Sequence, residues 1–472
     1  MERAEASVRD RELRRNRPPA CEFEIGRLCS GHPNVCDRPA SHALGLPQRF
    51  FFWEVDVGKR YVLIVVAAAT IGGCTSHTGT ATALPFAPLR VATSSGGYTI
   101  TVLPSLGGTN SAANSINNSG SPMGTSFLSG SGTMHAALWQ SGKAIDLGTL
   151  GGPNSAVEWP VENDRGYVSG ISETNRNDPL GESTSWSCHA FLPDGGTSGK
   201  TCLAFIWHNG KMRALPTLGG NNGYGAGMNA RGIVAGWAET KKRDSTCVSP
   251  QVLQFLPTVW DAMSRKVRRL PTVTTGGKRD PDGAATAVNR AGEVVGISGI
   301  CYKSVGSFTA RHAVAWKNGR ALKLQTFGGV SWNTPTAIND SGTIVGFLNL
   351  PGSTDSQGNP AFVSALWSDP SKAPTKIGTL PGDSLSEPTS INDAGIVLGV
   401  SFPSSHVYLW QNGSMTDLTA ALLQASPSLE LISVGGINDD GLIAGQACVL
   451  VGSACPSSGA TFDAVLVTPA RR

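Results

Sequence analysis

The stretch INDSGTIVG (residues 338–346) decides the fold of this chain. It contains the pattern Asn-x-x-Gly-x-x-x-Gly, which occurs seven times with both glycines at the same offsets. An asparagine side chain can hydrogen-bond its own backbone and glycine adopts a positive φ without steric cost, so each copy predicts a tight β-hairpin turn. The seven copies begin at Asn117, Asn163, Asn229, Asn289, Asn339, Asn392 and Asn438.

The second glycine of the pattern lies inside the strand that follows the turn, where it predicts a β-bulge or a close approach of another backbone. A calcium-binding loop is the alternative interpretation of the pattern. It requires further oxygen ligands at fixed positions, and the copies NARG (229–232) and NRAG (289–292) lack acidic side chains. We therefore interpret the pattern as a structural turn, and we predict no metal site, cofactor or catalytic residue.

Each repeat can be written as four segments of strand length, with residues 135–172 as the reference copy: HAALW, AIDLGTLGG, SAVEWPVEN and YVSGIS. The second segment ends on a Gly-Gly pair in five copies, one of which is Gly276-Gly277. Repeats of this kind form propellers or solenoids. The first segment ends in a tryptophan in six copies, and these tryptophans are predicted to pack between repeats: Trp139, Trp207, Trp260, Trp316, Trp367 and Trp410.

The two ends of the array complete each other. It begins with a unit that lacks its first segment and ends with an isolated first segment, FDAVLVT (462–468). We therefore predict an all-β fold, a seven-bladed β-propeller of four-stranded blades in which residues 462–468 close the ring by pairing into the blade begun by residues 98–126, with Val467 in the tryptophan position. An open solenoid would need capping units at both ends.

Alternation of antiparallel strands assigns the connections to two faces. The asparagine turns and the turns after the tryptophan strands share one face. The Gly-Gly loops and every long insertion share the other, which we call the loop-rich face. A ligand site is expected on the loop-rich face or in the central channel, because rigid scaffolds concentrate function in their loops. The insertions span about 173–188, 241–255, 299–310, 350–361 and 447–461.

The region before the array is divided into an extension (1–56), a signal peptide (57–74) and a linker (75–97), followed by the propeller (98–468). The apolar run YVLIVVAAATI is too short to cross a bilayer as a helix and suits a signal peptide. It ends in IGGC, similar to a bacterial lipobox, which makes Cys74 the predicted lipid attachment site. Secretion without a lipid and a chance apolar run are the alternatives. We expect an exported protein, held at a membrane if Cys74 is modified.

Six cysteines lie within the array and allow 15 pairings. An even number fits an exported, disulfide-containing protein. Closeness in sequence favours Cys188 with Cys202 and Cys448 with Cys455, which leaves Cys247 for Cys301.

Three aromatic residues that follow Gly-Gly loops, Trp159, Tyr224 and Trp332, are candidates for ligand binding on the loop-rich face. Their alternative role is packing. Four histidines recur at or near the start of first segments, a position that indicates a scaffold role more than catalysis: His135, His189, His312 and His406.

The formal net charge is +4 over 472 residues, without a concentrated basic block in the array, so a nucleic-acid partner is not expected. Two functions remain open. The first is a non-enzymatic binding scaffold, expected to be a monomer, for a protein, peptide or glycan. The alternative is an extracellular lyase or hydrolase whose catalytic groups converge on the channel from several blades.

The combination HAALW, DLGTLGG, INDSG and VVGIS resembles the HAF repeat, a family of bacterial extracellular repeats. The resemblance covers residues 98–468. It implies an exported repeat protein and brings no catalytic residues to this chain.

Overall fold

The structure, a computed structural model, describes residues 90–91, 97–130, 132–158, 160–184, 188, 192, 198–302, 305–354, 360–452, 454–456 and 461–470. All of them belong to one unit, Leu46–Arg472. The predicted signal peptide and Cys74 lie outside the described residues. Within these ranges, no helix is long and apolar enough to cross a membrane.

Nearly all regular structure is β, as predicted. Five four-stranded antiparallel sheets are formed by strands that are consecutive in sequence. They contain β7 (Gly151–Ala156), β8 (Val168–Asn177), β9 (Lys200–His208) and β10 (Lys211–Ala214); β11 (Gly219–Met228), β12 (Ile233–Arg243), β13 (Leu253–Asp261) and β14 (Val267–Arg269); β17 (Asp282–Val288), β18 (Val294–Gly299), β19 (His312–Lys317) and β20 (Arg320–Lys323); β21 (Thr334–Ile338), β22 (Ile344–Thr354), β23 (Pro360–Trp367) and β24 (Thr375–Gly378); and β25 (Leu385–Ile391), β26 (Val397–Phe402), β27 (His406–Gln411) and β28 (Ser414–Asp417).

The first and last strands of the array share one nine-stranded sheet. It consists of two four-stranded sets and one further short strand, and the sets are joined by a single parallel bridge between Asn110 and Phe462. One set comprises β3 (Gly107–Ile116), β4 (Pro122–Leu128), β5 (Met134–Gln140) and β6 (Lys143–Asp146); the other comprises β29 (Leu429–Ile437), β30 (Ile443–Val449), β31 (Phe462–Pro469) and β2 (Tyr98–Val102), which also pairs with β1 (Arg90–Val91).

Few elements lie outside these sheets. Helix α1 (Leu418–Ala425) connects β28 to β29, and the Asp417 carboxylate caps it by accepting from the Ala420 N–H. Short 3-10 turns occupy Glu182–Thr184 and Thr309–Arg311. The hairpin of β15 (Thr274–Thr275) and β16 (Lys278–Arg279) precedes β17.

The predicted composition of the blades is partly wrong. Strand β31 pairs with β2 as expected, and Val467 lies opposite Ile443, in the register where Trp316 lies opposite Val294. The other two strands of that sheet are β29 and β30, whereas β3 and β4 pair with β5 and β6. Each sheet therefore combines the last two segments of one repeat with the first two of the next, because the Gly-Gly link carries the chain from one sheet to the next.

One predicted Gly-Gly pair is also different. Gly276 and Gly277 form the turn of the β15–β16 hairpin, whereas the pairs at Gly107, Gly151 and Gly219 begin the first strand of a sheet. The hairpin lengthens the link between β14 and β17, so the first strand of the next sheet begins at Asp282, after this Gly-Gly pair.

The asparagine turns have the predicted geometry. In the copy at Asn339, the Oδ1 atom accepts from the Thr343 N–H at 2.9 Å and the backbone carbonyl accepts from the Gly342 N–H at 3.0 Å. Gly342 has φ 85°. A Cβ atom at Gly346 would clash with the Thr334 carbonyl, which confirms the predicted close approach of another backbone. A register shift between Pro335 and Ala337 lies on the partner strand β21.

The asparagine side chains also link neighbouring turns, a role that the sequence analysis missed. Each Nδ2 donates to the backbone carbonyl of the asparagine in the next copy, and the Nδ2 of Asn438 donates to the carbonyl of Asn117 at 3.1 Å. The other six bonds, at 2.7 to 3.1 Å, run from Asn117 to Asn163, Asn229, Asn289, Asn339, Asn392 and Asn438 in order.

Tryptophans pack between neighbouring sheets, as predicted. Trp316 on β19 is buried with Ala235 and Val259 of the preceding sheet, and its indole N–H donates to the Pro271 carbonyl at 2.7 Å. Trp139, Trp260 and Trp367 donate in the same way to carbonyls of the links before their own sheets. The succession of stacked four-stranded sheets is a β-propeller architecture.

Candidate functional site

The long insertions lie where they were predicted, on the connections between the second and third strands of their sheets. Three disulfides fix four of the five insertions, and all three pairings favoured by the sequence are present. Cys188–Cys202, Cys247–Cys301 and Cys448–Cys455 have Cα–Cα distances of 5.8, 4.7 and 5.9 Å. Cys247–Cys301 joins insertions of two neighbouring sheets, those after β12 and after β18.

Buried carboxyl groups fix two insertions further. Glu182, in the insertion after β8, accepts the backbone N–H groups of Val252 and Leu253 at 3.0 and 2.6 Å. The Gln251 Nε2 group contacts Glu182 and Glu239 at 3.3 and 3.2 Å. Burial, and then the Glu182 carboxylate, raise the pKa of Glu239 to about 8. These contacts hold the insertion after β8 against the one after β12, so the loop-rich face is preorganised.

Four of the six large apolar side chains that are exposed among the described residues lie on this face. Val330 is 71% exposed and Val451 is 73% exposed. Val248 and Val449, also exposed, directly follow the disulfide cysteines Cys247 and Cys448. Disulfides and buried hydrogen bonds therefore hold loops whose aliphatic side chains are exposed to solvent. Exposed apolar side chains grouped on one face are typical of an interaction surface.

A groove opens on the loop-rich face between the sheet of β17–β20 and the link that leads to β21. We call it the basic groove. Arg311 and Lys323 supply its charge, and Val330 and Phe308 supply its apolar surface. Among the described residues neither cation has a carboxylate within salt-bridge distance. The groove is lined by Phe308, Arg311, His312, Lys323, Thr326, Gly328, Gly329 and Val330.

The matching link two positions earlier in the array, between β10 and β11, lines a second groove. Thr217 and Gly220 correspond to Thr326 and Gly329 of the basic groove, and Arg176 and Arg265 supply cations. Neither arginine forms a salt bridge with a described residue. A basic groove beside a Gly-Gly link therefore occurs at two places.

The aromatic candidates differ from expectation in their exposure. Tyr224 on β11 is 3% exposed and Trp332 is 5% exposed. Trp332 packs with Phe347 and Phe362, at ring-centroid distances of 6.3 and 6.2 Å. Both side chains therefore have packing roles and present no free ring face for stacking. Trp159 lies outside the described residues.

Histidines pair with aspartates inside individual sheets. The Nδ1 atoms of His135 and His406 lie 2.8 and 2.7 Å from carboxylate oxygens of Asp146 and Asp417 at the end of the neighbouring strand. His312 makes the same contact with Asp280, which also accepts from Ser298. The recurrence supports the predicted scaffold role. His189 lies outside the described residues.

The charged side chains that line a cavity beside the asparagine turns, on the opposite face, are mainly carboxylates, and Arg290 at its wall pairs with Asp340 at 3.0 Å. Glu162 lines it with Asp340, Asp393 and Asp439. Burial, and then these three aspartates and Asp164, raise the pKa of Glu162 to about 8. The aspartates also have a structural role: the Asp393 and Asp439 Oδ1 atoms accept the backbone N–H of the preceding turn at 2.8 and 2.9 Å. In the part of the chain that the structure describes, no group of three or more His, Cys, Asp or Glu side chains could hold a metal ion.

No protein-family model matches the chain, and no curated protein matches it. Solved structures show distant similarity. A virginiamycin B lyase from Staphylococcus aureus with quinupristin is 8% identical, with a TM-score of 0.41 over 79% of this chain and 99% of that chain. A gluconolactonase from Xanthomonas campestris is 13% identical, with a TM-score of 0.26 over 45% and 78%. YCF48 bound to D1 peptide is 8% identical, with a TM-score of 0.35 over 81% and 100%.

Proposed function

We propose that the chain is an exported, seven-bladed β-propeller that acts as a non-enzymatic binding scaffold through its loop-rich face. Ring closure is supported by the hydrogen bond from Asn438 to Asn117 and by the position of β31 between β30 and β2. Seven blades are supported by the six hydrogen bonds between consecutive asparagine turns and by the seventh, which returns from Asn438 to Asn117. The HAF repeat resemblance and the three disulfides support export.

The observation that carries the binding role is the set of exposed valines on disulfide-fixed insertions. Val248 and Val451 belong to insertions closed by Cys247–Cys301 and Cys448–Cys455, and Val330 belongs to a neighbouring link. Binding to rigid loops loses little conformational entropy, so such a surface is suited to recognition of a partner.

The test compares partner capture by the full chain with capture by two variants. The triple variant Val248→Glu, Val330→Glu and Val451→Glu places charge on the loop-rich face. The control Met263→Glu changes a side chain that is 76% exposed in a turn on the opposite face. Loss of a captured extracellular peptide, protein or glycan only in the triple variant supports the proposal. Equal loss in both variants, or a captured ligand that is chemically converted, would overturn it.

We further propose that Cys74 is the lipid attachment site after removal of residues 57–73. The test is intact-mass analysis of protein isolated from the producing cell. A mature chain that begins at Cys74 with added diacylglycerol mass is the expected result. A secreted chain without the added mass, or a mature peptide from residues 21–36, would contradict the assignment.

A further inference from the structure

We propose that the basic groove binds an extended acidic peptide. The inference rests on the proposed function and names the ligand chemistry of one part of the loop-rich face. Arg311 and Lys323 line the same groove and form no salt bridge with described residues. His312 adds no unpaired cation, because its Nδ1 is engaged by Asp280 at 2.8 Å. Two neighbouring cations without acidic partners favour a ligand with at least two carboxylates.

The apolar part of the groove favours a peptide over an acidic glycan. Sugar rings are commonly bound on exposed aromatic faces, and Phe308 is only partly exposed, with its ring packed edge-on against Tyr302 at 5.0 Å. Val330, an aliphatic side chain, provides the most exposed apolar surface. An aliphatic contact beside two cations matches a sequence in which acidic and apolar residues alternate.

Backbone groups at the groove suit an extended chain. Lys323 ends β20, the outer strand of its sheet, and β20 pairs only with β19 among the described strands. Unpaired N–H and C=O groups on an outer edge are the usual partners of an added peptide strand. A peptide along this edge would bring alternate side chains to the same side, toward the cations and Val330.

The experiment measures binding of a short labelled peptide that alternates glutamate with valine to the full chain by fluorescence anisotropy. Arg311→Ala and Lys323→Ala are each expected to weaken binding at least about fivefold, because each removes a charge-assisted contact. Arg320→Ala is the matched control: it removes an exposed cation from the same strand outside the groove. The affinity is expected to fall with added salt.

Three results would overturn the inference: equal binding of a peptide with glutamine in place of glutamate, equal loss in Arg320→Ala, or groove-dependent binding of an alginate oligomer without binding of the peptide. In each case the proposed function stands if the triple valine variant loses partner capture and Met263→Glu keeps it. The two failures are therefore distinguishable.

Discussion

The side-chain amide of Asn438 donates a hydrogen bond to the backbone carbonyl of Asn117 at 3.1 Å, across 321 residues of sequence. Every other copy of the turn makes the same contact with the copy that follows it, 46 to 66 residues along the chain. A local turn residue thus also connects neighbouring sheets. The relationship explains why asparagine stands at this position: Oδ1 completes its own turn while Nδ2 reaches the next.

The proposed ring closure predicts that Asn438→Ala destabilises the fold as much as Asn339→Ala. Each substitution removes one bond to a neighbouring turn and leaves a backbone N–H of its own turn without the Oδ1 acceptor. The expected loss is about 1–3 kcal/mol in the free energy of unfolding, measured by denaturant titration. A clear loss for Asn339→Ala with none for Asn438→Ala would argue against closure.

The second glycine of the pattern is expected to be irreplaceable for steric reasons. Gly346→Ala would drive a Cβ into the Thr334 carbonyl, whereas Gly352 on the same strand has open space and a φ of 67°. We expect Gly352→Ala to cost about 1–2 kcal/mol from backbone strain and Gly346→Ala to cost more. Thermal unfolding of the two variants measures the difference. A smaller effect at Gly346 would contradict the close approach.

Trp316→Ala is expected to destabilise the protein by about 3–5 kcal/mol, because it leaves a cavity between two sheets. Trp410 provides the comparison, since it occupies the same repeat position but is only partly buried. Its replacement by alanine should cost less, as followed by the denaturant midpoint. Equal midpoints for Trp316→Ala and the wild type would refute the packing role.

Carboxyl groups that are buried or half-buried predict a loss of stability at alkaline pH. Burial raises the pKa of Glu387 from 4.5 to about 8, so the folded state holds its proton where the unfolded state has lost it. Stability from this group is complete below pH 4.5 and is lost as the pH rises through 8. Glu162, Glu239 and Asp282 act in the same direction.

Glu387→Gln should therefore raise the midpoint temperature at pH 8.5 and have little effect at pH 4.5. One unit of pKa shift corresponds to about 1.4 kcal/mol, so we expect a gain of at least about that size at pH 8.5. Asp440→Asn, at an exposed carboxylate, is the control. A gain of equal size at both pH values would show that the carboxyl is not protonated in the folded state.

The sequence by itself determined the features that depend on short-range chemistry. An asparagine with a glycine three residues later makes the same turn wherever it occurs, so the seven hairpins and their strands could be predicted. Cys188 with Cys202 and Cys448 with Cys455 were assigned by proximity, which left Cys247 for Cys301. The pairing of residues 462–468 with the strand at Tyr98 followed from the complementary ends of the array.

Only the tertiary structure decided what depends on neighbours remote in sequence. The acceptor for each asparagine amide lies in another repeat, and the assignment of segments to sheets depends on where the Gly-Gly link crosses. Tyr224 and Trp332 could not be recognised as buried, because exposure depends on the strands packed against them. The basic groove brings Arg311 together with Lys323 and Val330 from an insertion, an edge strand and a link, and no local pattern in the sequence records that contact.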